Sequence, residues 1–172
     1  MGRRRRLPGP PDFIVFDLDP GEGTTLVECC RVAVLIEEVL QERGRATRVK
    51  TSGSKGLQVY ALLGGRPTWD TSRAEAHGIA QDLEHEHPDL VVSNMRKALR
   101  REKVLIDWSQ NHAAKTTIGA YSVRGRTRPT VSTPVTWAEV RRCLKSGDPP
   151  TLEFTTAEVL ARIKKKGDLF AF

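Results

Sequence analysis

Three aspartates at the ends of apolar runs carry the most chemistry in this sequence. Asp17 and Asp19 close the run Phe13-Ile-Val-Phe-Asp-Leu-Asp-Pro20, and Asp107 closes Lys103-Val-Leu-Ile-Asp107. Phe, Ile and Val bounded by proline and glycine read as a buried strand, and Pro20 cannot continue its ladder. Side chains alternate along a strand, so Asp17 and Asp19 share a face, their α-carbons about 6.5 Å apart, while Leu18 turns to the core. Neighbouring carboxylates repel unless a proton or a cation lies between them. Such oxygen donors suit hard divalent ions such as Mg²⁺ or Mn²⁺. A third carboxylate at another strand end is what a two-metal site needs to flank and bridge its ions. The plainer alternative is that each aspartate caps the turn after its strand.

A second set of residues suits an anion. Thr51-Ser-Gly-Ser-Lys-Gly56 is a glycine-rich loop in which Lys55 sits between small residues. Such a loop can offer backbone N–H groups and a cation to phosphates. It lacks the spacing of a Walker loop and leads into a strand rather than a helix, and a simple hairpin turn accounts for its Gly and Ser equally well. The segment Ala114–Arg124 is strand-like, rich in Thr, Ile, Tyr and Val. At its end Arg124 could grip a triphosphate with paired hydrogen bonds or simply face solvent. His77, His85 and His87 lie on or near one helix; two-residue spacing separates the last pair onto different faces, so all three read as surface residues. Cys29, Cys30 and Cys143 form no C-x-x-C pair and read as packing residues.

The elements that must position these groups are marked by caps and breakers. Thr24 or Thr25 caps a helix over Leu26–Arg43, with an apolar stripe on Leu26, Cys30, Val34 and Val39 and a stop at Gly44. Val49 opens a short extended segment, and Leu57–Leu63 is a second strand broken by Gly64-Gly65 and Pro67. Ser72–His87 is an amphipathic helix ended by Pro88. Thr136-Trp-Ala-Glu139 is a capping box for a short helix over Trp137–Leu144, and Thr155-Thr-Ala-Glu158 introduces a last helix through Lys166.

A chain of 172 residues makes one domain. Its 38% apolar and 28% charged content excludes a disordered or membrane-embedded class. The longest apolar run, Val32–Ile36, is far short of a span, and the start of the chain shows no hydrophobic signal segment, so a cytoplasmic location is expected. Of the net charge of +7, Arg3–Arg6 carries a large share, which suggests a basic flexible tail over 1–11 before a core over 12–172. Further clusters at Arg96-Lys97…Arg100-Arg101…Lys103, at Arg124…Arg126…Arg128 and at Lys164–Lys166 favour a phosphate or nucleic-acid partner, although a charge run is more often a solvated face.

Four segments in order, Phe-Asp-Leu-Asp-Pro, Thr-Ser-Gly-Ser-Lys-Gly-Leu-x-Val-Tyr, Ile-Asp-Trp-Ser-Gln-Asn and Pro-Thr-Val-Ser-Thr-Pro-Val-Thr-Trp, resemble the polymerase domain of bacterial ATP-dependent DNA ligase D. That domain belongs to the archaeo-eukaryotic primase superfamily, and the match runs from about Asp12 to Phe172. The resemblance implies an α+β primase-like core, a mixed central β-sheet flanked by helices. It implies a DNA-dependent nucleotidyltransferase that adds nucleotides, preferentially ribonucleotides, to a primer 3′ end during non-homologous end joining, with Mn²⁺ or Mg²⁺ in a two-metal site. Carried over by motif, Asp17, Asp19 and Asp107 would bind the metals, and Ser52, Lys55, Gly56, Gln58, Gln110 and Arg124, with Arg100, the incoming nucleotide. Expected partners are a primer–template or gapped DNA end, an NTP or dNTP, and a ligase, an end-binding protein or a separate amino-terminal half, at a bacterial nucleoid.

Two departures bear on activity. Gln58 stands where the family motif has His; it can donate a hydrogen bond but carries no charge. The chain also begins close to the Asp-x-Asp strand, so the family's amino-terminal portion, which in relatives contacts the downstream 5′-phosphate and the nucleotide base, is expected to be absent. A silent or split-subunit DNA-binding module of the same fold, or a nucleotide sensor, is the alternative.

Overall fold

The computed structural model describes residues 9–125 and 127–172; the arginine run at Arg3–Arg6 and Arg126 lie outside the described residues. The chain runs β1 (Phe13–Pro20), α1 (Leu26–Glu42), β2 (Thr47–Thr51), β3 (Leu57–Leu62), α2 (Trp69–Glu86), β4 (Val91–Val92), β5 (Val104–Asp107), β6 (Val123–Arg124), β7 (Thr130–Val131), β8 (Pro134–Val135), α3 (Trp137–Ser146) and α4 (Thr156–Lys166). Six strands form one sheet in the order β4-β5-β1-β3-β2-β8, and β6 pairs with β7 separately. Only the β4–β5 pair is parallel, so the sheet is mixed, in keeping with the expected α+β core.

Strand β1 lies inside the sheet because its alternation suits a sheet covered on one face. Ile14, Phe16 and Leu18 are fully buried and pair in register with Ala61, Val59 and Leu57 of β3. Val49 of β2 and Ile106 of β5 extend the same apolar face. Helix α1 covers it with Leu26, Cys29, Cys30, Ala33, Ile36 and Leu40, and α2 with Ala76, Ile79, Ala80 and Leu83. The stripe expected on α1 is thereby corrected: Val34 and Val39 flank the buried face and are half-exposed. Four-residue steps overshoot a turn of 3.6 residues by about 40° each, so only mixed three- and four-residue steps stay on one face. Helix α3 packs on α1 and brings Cys143 to Cys30, and all three cysteines are buried and free, as read.

Capping boxes form at Thr136/Glu139 and Thr155/Glu158 as expected, and two more form at Thr25/Glu28 and Thr68/Thr71. Helix α2 starts earlier than Ser72, at Trp69, where Thr68 caps it. The strand expected over Ala114–Arg124 is reduced to Val123–Arg124. Its β-branched residues have the propensity but no adjacent strand edge, and strand preference depends on such a partner. Instead the segment turns at Tyr121, whose φ of 66° is left-handed and whose N–H donates to Ser132 O at 2.7 Å.

The uncovered face of the sheet is closed at its β1 start by the last residues of the chain. Phe172 packs on Phe13 with ring centroids 4.9 Å apart, Phe170 meets Tyr60 edge-on at 5.0 Å, and Tyr121 Oη donates to Asp168 at 2.5 Å. Among the described residues no helix is long and apolar enough to cross a membrane.

Candidate active site

Since Phe16 and Leu18 point into the core, Asp17 and Asp19 point to the open face. Strand register then sets one row across four strands: Lys50 of β2 opposite Gln58 of β3, Gln58 opposite Asp17, and Asp17 opposite Asp107 of β5. Asp19 lies one row further along β1 and is exposed. Burial pushes the Asp17 carboxyl up to about 6, the charges of Asp19 and Asp107 push the same way, and a hydrogen bond from Gln58 opposes them. Asp19 is also raised, by partial burial and by Asp107, with Arg100 opposing. Carboxylates on one face that raise one another despite these opposing groups suit a place for a cation.

Asp107 fulfils the plainer expectation as well, for it caps the 3₁₀ turn Trp108–Gln110. Its Oδ1 accepts from Ser109 N at 3.0 Å and Ser109 Oγ at 2.6 Å, and its Oδ2 from Gln110 Nε2 at 2.8 Å. Gln110 thus turns toward the carboxylate. Asn111, buried and given no role of its own in the sequence reading, fastens this turn to β1: it accepts from Val15 N at 2.8 Å and donates to Val15 O at 2.7 Å and Trp108 O at 2.9 Å. Trp108 is held from the other side, its Nε1 donating to Ser93 O at 2.9 Å and its ring stacked on His77 at 3.9 Å. His77 is therefore a half-buried support for the turn rather than a free surface residue, whereas His85 is exposed.

The Ser52–Gly56 loop is the β2–β3 hairpin turn, closed by Ser52 N to Gly56 O at 2.9 Å and Gly56 N to Ser52 Oγ at 3.1 Å. Its glycines permit close approach. A Cβ on Gly56 would lie 2.0 Å from Leu18 O, and one on Gly53, whose φ is +65°, would lie 2.6 Å from Ser132 N and 2.9 Å from Arg124 Cγ. The hairpin therefore presses on β1 through Gly56 and on the Arg124 side chain through Gly53, with Lys55 exposed on the same turn. Arg100 is half-buried, donates to Met95 O at 2.5 Å and acts electrostatically on Asp19. A cleft of about 350 Å³ opens beside Gln110, walled by Phe13, Val15, Tyr60, Asn111 and Lys115.

Among the described residues no three His, Cys, Asp or Glu side chains converge closely enough to cage a metal ion. Asp107 is turned to Ser109 and Gln110, and Asp19 extends to solvent. The donor set is nevertheless of the right kind, three carboxylates on one face with the cysteines buried in the core. Lys50, fully buried in the row, was missed: strand alternation places it on the open face with Arg48 but does not reveal what covers it.

Residues 1–170 match the family model of the LigD primase-polymerase domain. The chain is 46% identical over 162 residues to the multifunctional non-homologous end joining DNA repair protein LigD of Mycobacterium tuberculosis, covering 94% of this chain and 21% of that protein. It is 33% identical over 158 residues to the bifunctional non-homologous end joining protein LigD of Bacillus subtilis, covering 91% of this chain and 25% of that one. The fold matches the polymerase domain from Mycobacterium tuberculosis ligase D in complex with DNA, with a TM-score of 0.86 at 46% identity, over 94% of this chain and 54% of that one. The chain thus spans a quarter or less of these curated relatives and about half of the solved domain.

Proposed function

The chain belongs to the family of LigD primase-polymerase domains, and we propose that it is a transferase core adding nucleotides, with ribonucleotides preferred, to a primer 3′ end at a DNA break repaired by non-homologous end joining. The observation that carries this is the opposition of Asp17 and Asp107 across β1 and β5, with Asp19 on the same face and the Arg124–hairpin cluster beside it. The relatives are named for non-homologous end joining, and the solved neighbour is a polymerase domain in complex with DNA.

In this reading Asp17, Asp19 and Asp107 hold Mn²⁺ or Mg²⁺, which when bound supplies Lewis acidity to the primer 3′-oxygen and the phosphoryl group. Lys55, Arg124 and the hairpin N–H groups hold the triphosphate and receive the charge that collects on the departing pyrophosphate. Gln110 and Ser109 hold the Asp107 carboxylate by hydrogen bonds that an incoming metal and nucleotide would have to share or displace. The cleft beside Gln110 offers the aromatic walls of Phe13 and Tyr60 to the sugar and base.

The test is extension of a gapped, 5′-phosphorylated DNA with ribonucleotides and Mn²⁺, run beside Asp17→Ala and Asp107→Ala. Wild-type chain is expected to extend the primer, and each variant to lose on the order of a hundredfold or more. The inward turn of Gln110 toward Asp107 favours a second reading, a DNA-binding module without transfer. Tight DNA binding with no extension by wild-type chain would establish that one instead.

A further inference from the structure

Lys50 takes no part in the transfer as proposed, yet its surroundings are costly to build. It is 0% exposed, and lysine is almost never buried without partners for its charge. Among the described residues the ion pairs do not include it. Its ammonium instead donates to Gln58 Oε1 at 2.5 Å and to Ser132 Oγ at 2.8 Å. Ser132 Oγ donates its own hydrogen bond to Thr51 O at 2.8 Å, so toward Lys50 the hydroxyl is fixed as an acceptor.

This contact settles how Gln58 is turned. An ammonium only donates, so the carboxamide oxygen must face Lys50. Tyr60 Oη donates to the same oxygen at 3.2 Å. With its oxygen held by two donors, Gln58 turns its NH₂ the other way along the row, toward its cross-strand partner Asp17, whose carboxyl it holds down. Burial pushes the Lys50 ammonium down to about 8, which leaves it mostly charged at neutral pH. Hydrogen-bonded groups polarise one another in a low-dielectric interior, so a cation on the oxygen strengthens the NH₂ as a donor.

We propose that Lys50 is a positioning residue for the nucleotidyl transfer proposed above: through Gln58 it presents a fixed, polarised NH₂ group to Asp17 and to the anionic reactant beside it, lending a neutral side chain part of a positive charge. A residue serving packing alone would not be a lysine here, since an apolar side chain of similar volume would fill the space without the cost of burying a charge.

The experiment compares wild-type chain with Lys50→Met, Lys50→Arg, Gln58→Met and the Lys50→Met/Gln58→Met double variant. The Gln58 side-chain amide is identified in ¹H–¹⁵N spectra as the pair of resonances missing from Gln58→Met. In Lys50→Met that pair is expected to move to the positions of exposed glutamine amides, and in Lys50→Arg to return toward wild type. Unchanged Gln58 resonances in Lys50→Met overturn the proposal whether or not the chain is a polymerase. In primer extension Lys50→Met is expected to lower kcat about 10–100-fold, as for supporting residues behind a metal site. Its Tm should be equal to or above wild type, and the double variant no slower than the worse single. Multiplying losses in the double variant, or a lowered Tm with kcat retained, assign Lys50 a separate or merely structural part. A wild-type chain that extends nothing defeats the transfer reading, and the amide resonances then decide the positioning role by themselves.

Discussion

At the scale of single residues, the open face is organised by side chains that fix other side chains. Asn111 shows this most directly, because one carboxamide satisfies both polar groups of Val15 and the carbonyl of Trp108. Removing it leaves these backbone groups without their partner, which costs about 2 kcal/mol. Asn111→Ala is therefore expected to lower Tm by several degrees and to reduce extension further than the stability loss explains, because the turn bearing Asp107 is released from β1. Calorimetry beside steady-state kinetics at a temperature well below both transitions separates the two effects. Equal kcat in both proteins would detach Asn111 from the site. The aspartates and the hairpin were legible in the sequence because strand ends and glycine turns leave local signatures. Lys50 and Asn111 were not, since each is defined by partners on other strands: Gln58 and Ser132 for one, Val15 for the other.

At the scale of elements, capping and ion pairing bind the carboxyl-terminal helices to each other. Glu139 closes the capping box of α3 and accepts from Arg162 and Lys166 of α4. Burial alone would raise its carboxyl, but the hydrogen bonds from Arg162 and Lys166 outweigh it and hold it far below the ordinary carboxylate range. A carboxyl with a lower value folded than unfolded stabilises the fold at pH above the unfolded value and loses that contribution as pH falls toward the folded one. Glu139→Gln is accordingly expected to cost about 1–2 kcal/mol at neutral pH. The gap in Tm from wild type should narrow steadily below about pH 4.5. A gap independent of pH would place the effect in packing instead. Elements with such local codes, β1, α2, α3 and α4, were read from sequence close to their observed places. Strand β4 was not, for two valines acquire strand character only by pairing with β5, nor was the loop over 114–122, whose propensity finds no neighbour.

At the scale of the whole molecule, helices shield one face of the sheet and the other carries acidic groups amid a chain of net charge +7. Arg100 acting on Asp19, and Arg124 against the hairpin that carries Lys55, set positive charge beside the acidic centre, which suits a polyanion that must approach carboxylates. A protein holding about four DNA phosphates loses on the order of a hundredfold in affinity between about 50 and about 200 mM salt. That steepness is expected for binding to gapped DNA, measured by fluorescence anisotropy across a salt series, and a flat response would exclude a phosphate-tracking groove. The row of Lys50, Gln58, Asp17 and Asp107 has one more consequence, which concerns time. Asp17 and Asp107 are about ninety residues apart in the chain, and their strands can pair only after the intervening helices and hairpin have closed a long loop. Contacts of such sequence separation carry a loop-closure cost that slows folding. The carboxylate row is thus expected to assemble only once β1 and β5 have paired, so that a partly folded chain with its helices and hairpin formed would lack it.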